Sequence, residues 1–136
     1  MDLQKMIEYR NTHNPFCNRL GIRLTELEPG RAAAEKTVTE ADLNPVGVVH
    51  GGLYFTMADT VCGSAMATHG HAAVTLSAAW QFLRAAGAGD VLRAEALEIK
   101  HGRTVSVYEA RVTDQEGRLL GTGTFTFFEL DRELEF

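Results

Sequence analysis

The segment from His50 to Asp59, HGGLYFTMAD, places one carboxylate inside a run of mostly apolar residues. A carboxylate left alone in an apolar interior costs several kcal/mol, so it is normally paired, hydrogen-bonded or turned toward a cavity. Asp59 therefore indicates either a structural ion pair with an arginine across the core or a general base or nucleophile at a reaction site.

Two glycines, Gly51 and Gly52, stand where a loop gives way to this apolar run. The first N–H groups of a helix lack internal partners and carry the positive end of the helix dipole. Glycine at such a point lets a ligand approach the bare amide closely. The pattern is typical of a donor for a developing oxyanion, and a plain tight turn is the alternative.

The spacing of these features predicts a second copy of the chain. Eight positions separate Gly51 from Asp59, which corresponds to about 12 Å along a helix. An oxyanion donor and a base that act on one carbonyl should each lie about 3 Å from the reacting atoms. One helix cannot meet both conditions, so we expect a C2 dimer in which Gly51 of one copy meets Asp59 of the other.

Two helices follow from the periodicity of the sequence. A short amphipathic helix is predicted at about 2–10, with Asp2 as its cap. A long helix is predicted at about 53–68, where apolar residues cover nearly the whole circumference and Asp59 is the only charge. Such a helix must be wrapped by protein.

Alternating and β-rich segments predict about six strands, and residues 39–49 are expected to form a loop. Turn signals at 28–30, 87–90, 101–103 and 114–117 indicate consecutive antiparallel hairpins. We therefore predict a single α+β domain over 1–136, in which a curved antiparallel sheet surrounds the long helix. Residues 131–136 are expected to form a solvated end. The strands are predicted at about 22–27, 31–38, 73–83, 91–100, 104–113 and 118–130.

Composition excludes several classes of function. The net charge of -5, from 18 acidic and 13 basic residues, does not support a nucleic-acid surface or an anionic-membrane patch. Cys17 and Cys62 lack zinc or disulfide spacing, and we expect both to be small buried hydrophobes. Neither a signal peptide nor a membrane span is predicted, so the expected location is the cytoplasm.

Several separated motifs resemble the hotdog-fold acyl-CoA thioesterases of the phenylacetate-degradation type. The resemblance runs from about residue 14 to 128. Its motifs are the Asn44–Gly52 stretch NPVGVVHGG, then Phe55 and Ala58-Asp59, and later AVTLS at 73–77 and FLR at 82–84. It implies a sheet wrapped around one long helix, dimers joined edge to edge through their sheets, and assembly of dimers into tetramers. The implied products are a free acid and coenzyme A.

The resemblance implies a role for each matching residue. Asp59 would attack the thioester or activate water, and the Gly51 N–H would bind the oxyanion. Asn44 and His50 would orient the thioester carbonyl and the catalytic loop, and Ser77 would help to hold the attacking water. From the residues alone, Asn44 fits a turn, His50 a helix-end hydrogen bonder and Ser77 an ordinary strand position.

A second set of residues is expected to bind the substrate. Arg84 and the turn Lys100–Arg103 supply cations for the coenzyme A phosphates, although a solvated hairpin tip is the alternative. Ala85 replaces a proline that is common in the family, which alters the mouth of the pocket. No cofactor is expected, since coenzyme A is part of the substrate. The predicted binding residues are Gly52, Phe55, Phe82, Arg84, Lys100, His101, Gly102 and Arg103.

Three readings of the chemistry remain open from the sequence. A thioesterase is favoured over a non-catalytic acyl-CoA binding module and over a hotdog hydratase or dehydratase. His69 and His71 form an H-x-H, but no acid or thiol lies at ligand spacing, so no metal site is expected. The sequence does not choose between hydroxyphenylacetyl, benzoyl and medium-chain acyl groups.

Overall fold

A computed structural model describes residues 1–136 as three α-helices, one 3-10 turn and six β-strands. The α+β class predicted from the sequence is confirmed. The helices are α1 (Leu3–Thr12), α2 (Pro15–Leu20) and α3 (Gly51–Ala67), and the 3-10 turn is Glu40–Asp42. The strands are β1 (Arg23–Glu28), β2 (Arg31–Thr37), β3 (His71–Phe82), β4 (Val91–Lys100), β5 (Val105–Thr113) and β6 (Leu119–Glu133).

The strands form one antiparallel sheet in the order β1-β2-β4-β5-β6-β3. The hairpins β1–β2, β4–β5 and β5–β6 agree with the turn signals. The expected hairpin between β3 and β4 is wrong, because β3 pairs with β6 at the opposite edge. The turn at 87–90 instead docks on the end of β2, where the Val38 N–H donates to the Asp90 carbonyl at 2.8 Å.

Helix α3 contacts all six strands, as a central helix wrapped by the sheet must. Its sheet-facing side is buried, with Met57, Ala58 and Val61 fully inaccessible. Phe55 and Asp59 lie on a second side that the chain leaves partly open. No helix is both long and apolar enough to cross a bilayer.

Capping residues explain where the helices differ from the prediction. Helix α3 starts two residues earlier than expected because the His50 ring caps it. Helix α2 was not predicted; Asn14 caps it by accepting the Cys17 N–H, and Pro15 occupies its first position. The solvated end predicted at 131–136 is confirmed for residues 131–133 and Glu135, which are exposed, but Leu134 and Phe136 are partly buried against the core.

Candidate active site

The start of α3 presents one backbone donor that the chain does not use. His50 Nδ1 accepts the Gly52 N–H at 2.8 Å, and the Leu53 N–H donates to the His50 carbonyl at 2.9 Å. The Gly51 N–H has no hydrogen-bond acceptor in the chain. The His50 cap thus satisfies its neighbours and leaves the Gly51 amide available for a ligand oxygen.

The ring of Phe82 packs closely against the backbone at Gly51. A Cβ atom at position 51 would lie 2.8 Å from Phe82 Cε1. Gly51, Phe82 and Arg84 line a cavity of about 390 Å³. Three residues assigned to the site from the sequence therefore lie at one cavity, although Phe82 and Arg84 are distant from Gly51 along the chain.

Asn44 builds the loop that leads to this helix start. Its Oδ1 accepts the N–H groups of Val46 at 3.0 Å and Val48 at 3.3 Å, so the turn reading of Asn44 is confirmed. Its side-chain amide donates to no group in the chain. That N–H₂ group can still orient a substrate carbonyl, and this role stays a prediction.

A buried ion pair that was not predicted from the sequence anchors the same loop. Lys36 Nζ lies 3.1 Å from Asp42 Oδ2, with both side chains almost completely buried. The Asp42 carbonyl accepts the His50 N–H at 2.8 Å. A buried pair of this kind fixes geometry more than it adds stability, so it holds the cap residue in position.

Asp59 is half-buried and forms no ion pair, so the structural reading in which an arginine neutralises it is wrong. Its one hydrogen-bond partner is the Thr75 hydroxyl, which donates to Oδ1 at 2.6 Å. The second carboxylate oxygen has no partner in the chain. A carboxylate held by one oxygen and open at the other is suited to act as a base or nucleophile.

The strand β3 places Ser77 away from Asp59, which corrects the role expected for that residue. A β-bulge shifts the pairing with β6 between Thr75 and Ser77. Thr75 lies opposite the buried Phe127, on the side of α3, whereas Ser77 lies opposite Thr126 on the other face. Directly paired residues share a face, so Thr75 supplies the hydroxyl that was expected from Ser77.

The two cysteines are not suited to act as nucleophiles in this site. Both cysteines are buried and unpaired, as the sequence predicted. Burial raises the pKa of the Cys62 thiol, and the nearby Asp59 carboxylate raises it further. Cys62 therefore stays protonated and is a poor nucleophile.

Aromatic side chains line the open side of α3. Phe55 is 38% exposed, and its ring lies 5.2 Å from that of Phe125. Trp80 approaches both Phe125 at 6.0 Å and Phe82 at 6.4 Å between ring centroids. Trp80 was not assigned to the site from the sequence, and its buried Nε1–H has no hydrogen-bond partner.

The cations expected to bind phosphate form two groups in one chain rather than one cluster. Arg84 lies with Gly51 at the start of α3. His101 stacks on His69, just beyond the other end of α3, with ring centroids 3.5 Å apart. Because α3 has 17 residues, about 25 Å of helix separates the two groups. Lys100, Arg103 and Arg84 form no ion pairs.

Folding places the Glu98 carboxylate beside His69. The two residues are far apart in the sequence, so the spacing of nearby residues did not predict this contact. Glu98 Oε1 lies 2.5 Å from His69 Nε2 and accepts the Tyr108 hydroxyl at 2.8 Å. Burial alone would raise the pKa of Glu98, but these two hydrogen bonds outweigh burial and hold the pKa below its ordinary value. His71, the other member of the H-x-H, lies outside this group.

Comparison with known proteins identifies the class. The thioesterase superfamily model matches residues 46–120, which include the end of the loop, α3 and the strands β3, β4 and β5. The structure of the E. coli PaaI protein superimposes with a TM-score of 0.93 at 26% identity, covering 98% of this chain and 96% of that one. The chain therefore belongs to the thioesterase superfamily. It is a PaaI-like thioester hydrolase with the hotdog fold.

Relatives with stated activities agree with this assignment. The acyl-coenzyme A thioesterase PaaI of E. coli is 34% identical over 79% of this chain and 81% of its own length. Human acyl-coenzyme A thioesterase 13 is 27% identical, with 91% of each chain covered. A thioesterase structure from Streptococcus pneumoniae, solved with coenzyme A, has a TM-score of 0.79 at 30% identity and covers 83% of this chain and 88% of that one.

The pneumococcal protein has also been solved as two variants, one with an aspartate and one with a threonine changed to alanine. The two altered positions lie 16 residues apart in its numbering. Asp59 and Thr75 are separated by the same 16 positions.

Proposed function

We propose that the chain hydrolyses acyl-CoA thioesters to a free acid and coenzyme A at sites formed between two protomers. The observation that carries this proposal is the pair of unsatisfied groups on α3. The Gly51 amide has no acceptor and Asp59 keeps one oxygen unpartnered. Since both groups belong to one 17-residue helix, an antiparallel second copy is what brings them to a common substrate.

The chemistry follows from what each group can do. The Gly51 N–H, at the positive end of α3, would donate to the thioester carbonyl oxygen and stabilise the negative charge that develops there. Asp59 of the partner subunit would attack the carbonyl carbon or remove a proton from an attacking water. The carbon–sulfur bond then breaks and the CoA thiolate leaves. If Asp59 is the nucleophile, water hydrolyses the resulting mixed anhydride, which releases the acid and restores the carboxylate; if Asp59 is the base, the acid forms directly and the proton passes from Asp59 to the thiolate or to solvent. Thr75 would hold the attacking carboxylate through its Oδ1.

The edge strand β3 supports the dimer. Val74 and Leu76 are 50% and 55% exposed on this strand, and β6 is its only neighbour in the sheet. A long apolar edge strand invites pairing with another chain. Pairing of β3 with its own copy would join the two sheets and close the open side of α3.

The dimer would also unite the two groups of cations. Antiparallel helices place the end of one beside the start of the other. The turn Lys100–Arg103 of the partner subunit would then approach Arg84 and Gly51, where CoA phosphates require positive charge. The coenzyme A found in the pneumococcal structure supports this choice of substrate.

The pocket favours an aryl or medium-chain acyl group. Phe82 and Tyr54 line the cavity beside Gly51, Trp80 packs against Phe82, and Phe55 lies one helical turn before Asp59 on α3. The proposed reaction requires no cofactor, because coenzyme A is part of the substrate and the acid–base groups are side chains. Two unpaired cysteines are compatible with a reducing cytoplasm, where we place the enzyme.

A mixed dimer tests the shared site. Asp59→Asn removes the carboxylate charge, and Gly51→Pro removes the N–H at a first helical position whose backbone proline tolerates. Gly51→Ala adds the same Cβ beside Phe82 but keeps the N–H, so it is the control for crowding and should retain more activity than Gly51→Pro. His50 already has an extended backbone, with φ −63° and ψ 131°, as a residue before proline requires. Each homodimer should lose most turnover. Differently tagged subunits that carry one change each should form one intact site and recover about half the wild-type activity per dimer.

The control is a mixed dimer whose two tagged subunits both carry Asp59→Asn, which should stay inactive. Circular dichroism and size exclusion must show that every variant is folded and dimeric. If the Asp59→Asn/Gly51→Pro dimer is as inactive as its parents under those conditions, the site lies within one chain and the proposal fails.

A further inference from the structure

We propose that His69, Glu98 and His101 form a binding site for a divalent transition metal, with Zn²⁺ as the matching ion. The three residues lie beyond the end of α3, at the end of β4 and in the turn that follows it. Each offers one ligand atom, and these atoms lie within 4.8 Å of one another. Within one chain the site lies at the opposite end of α3 from Gly51, and metal binding there does not require the proposed hydrolysis.

Each ligand is available in the form that a metal needs. His69 Nε2 and Glu98 Oε1 share one hydrogen at 2.5 Å, and a metal ion can replace that proton between them. His101 Nδ1 is hydrogen-bonded to the Ser106 hydroxyl at 3.1 Å, which leaves Nε2 as the ligand. The exposed His101 ring must tilt out of its stack on His69 so that the two nitrogens converge.

Neighbouring side chains make supporting hydrogen bonds to His101 and Glu98, as is common around metal ligands. Histidine ligands commonly engage their other ring nitrogen, and carboxylate ligands accept further hydrogen bonds. Ser106, which is fully buried, holds His101. The Tyr108 hydroxyl donates to Glu98 at 2.8 Å, and Tyr108 is itself fully buried. Both supports therefore come from the rigid strand β5.

The ligand types select the class of ion. Two imidazoles and one carboxylate match zinc and its transition-metal neighbours, whereas Ca²⁺ and Mg²⁺ prefer oxygen ligands alone. Three protein ligands leave a fourth position for water or an anion. A bound ion would tie the end of α3 to the turn Lys100–Arg103 and add positive charge there.

Zn²⁺ titration of the chelator-treated full chain by calorimetry tests this site. We expect one Zn²⁺ per chain and a melting temperature that rises with Zn²⁺. His101→Ala, which removes an exposed side chain, and Glu98→Gln should each weaken Zn²⁺ binding at least about tenfold. Tyr108→Phe keeps the buried ring and should weaken Zn²⁺ binding less than Glu98→Gln does. Co²⁺ should give a visible absorption spectrum that His101→Ala abolishes.

His71→Ala is the matched control, because His71 belongs to the same H-x-H but lies outside the group. It should leave Zn²⁺ affinity within about twofold of the wild type. Equal affinity for His101→Ala and the wild type, or the absence of saturable Zn²⁺ binding, overturns the proposal. Thioester hydrolysis by the metal-free protein is measured in parallel, so failure of the metal site and failure of the proposed function are told apart.

Discussion

Thr75 is the residue that fixes the orientation of Asp59. Its hydroxyl donates to Oδ1 at 2.6 Å, and the bulge in β3 directs it toward α3 while Ser77 faces away. A hydrogen bond to a charged group contributes about 1.5–3 kcal/mol. Loss of this hydrogen bond therefore affects the position of the carboxylate without removing the carboxylate itself.

We expect Thr75→Val to lower kcat about tenfold, the equivalent of about 1.4 kcal/mol in the barrier. Valine keeps the shape and strand preference of threonine but cannot donate. Thr75→Ser should retain most activity because it keeps the hydroxyl. The kcat values of both variants are measured by steady-state kinetics with an aryl-CoA substrate.

Ser77→Ala is the control for this comparison and should leave kcat unchanged. The assignment of Thr75 is wrong if Thr75→Val turns over at the wild-type rate, or if Ser77→Ala proves the more damaging change.

At the scale of the element, the start of α3 depends on a second anchor besides the His50 cap. The buried Tyr54 hydroxyl donates to the Arg84 carbonyl at 3.0 Å, which ties the first turn of α3 to the segment after β3. Desolvation by burial, followed by the charges of Asp90 and Asp114, raises the pKa of Tyr54 to about 12. The neutral phenol is therefore the form that the fold requires.

This raised pKa predicts a loss of stability in alkali. Because the folded pKa of about 12 exceeds the ordinary value of 10.0, the contribution of Tyr54 is complete below pH 10 and is lost as the pH rises through 12. Tyr54→Phe should lower the free energy of unfolding at neutral pH by about 1 kcal/mol. It should also flatten the alkaline decline, as measured by urea unfolding at each pH.

Tyr9, an exposed residue of α1, supplies the control variant Tyr9→Phe, which should keep the full alkaline decline. If the free energy of unfolding falls equally steeply in alkali for the wild type and for Tyr54→Phe, the role given to Tyr54 is contradicted.

At the scale of the whole molecule, the proposed site forms only when the edge strand β3 pairs with a second copy of the chain. Its outer edge is unpaired in the chain, and it lies next to the open side of α3. In the proposed dimer the partner subunit pairs with the edge of β3 and covers the open side of α3. A change that prevents assembly should therefore also abolish activity.

Leu76→Lys places a charge on this edge strand and should shift the protein toward monomers, since like charges would meet across the paired strands. Thioesterase activity should fall in proportion to the monomer fraction, although Asp59 and Gly51 are intact. Analytical ultracentrifugation and activity over the same dilution series measure this.

Leu97→Lys is the matched control, because Leu97 is similarly exposed, at 57%, on the central strand β4. It should leave the β3-edge dimer and its activity unchanged. Full activity of a monomeric Leu76→Lys protein would refute the shared site.

Local signals in the sequence determined the chemistry and the elements that carry it. The glycines at 51–52, Asp59 about two helical turns further along, and the hairpin turns of β4, β5 and β6 are short-range features. Caps, turns and helical spacing are set by neighbouring residues. The α+β class and the central helix were predictable on that basis, whereas the family followed from the resemblance of separated motifs to known thioesterases.

Only the tertiary structure decided which distant residues meet. Regular alternation would place Thr75 and Ser77 on the same face of β3, but the bulge between them puts them on opposite faces. Pairing of β3 with β6 separated Arg84 from the turn Lys100–Arg103, and the sheet brought Glu98 to His69 across 29 positions. Such contacts depend on how strands are ordered in the sheet, and local spacing does not encode that order.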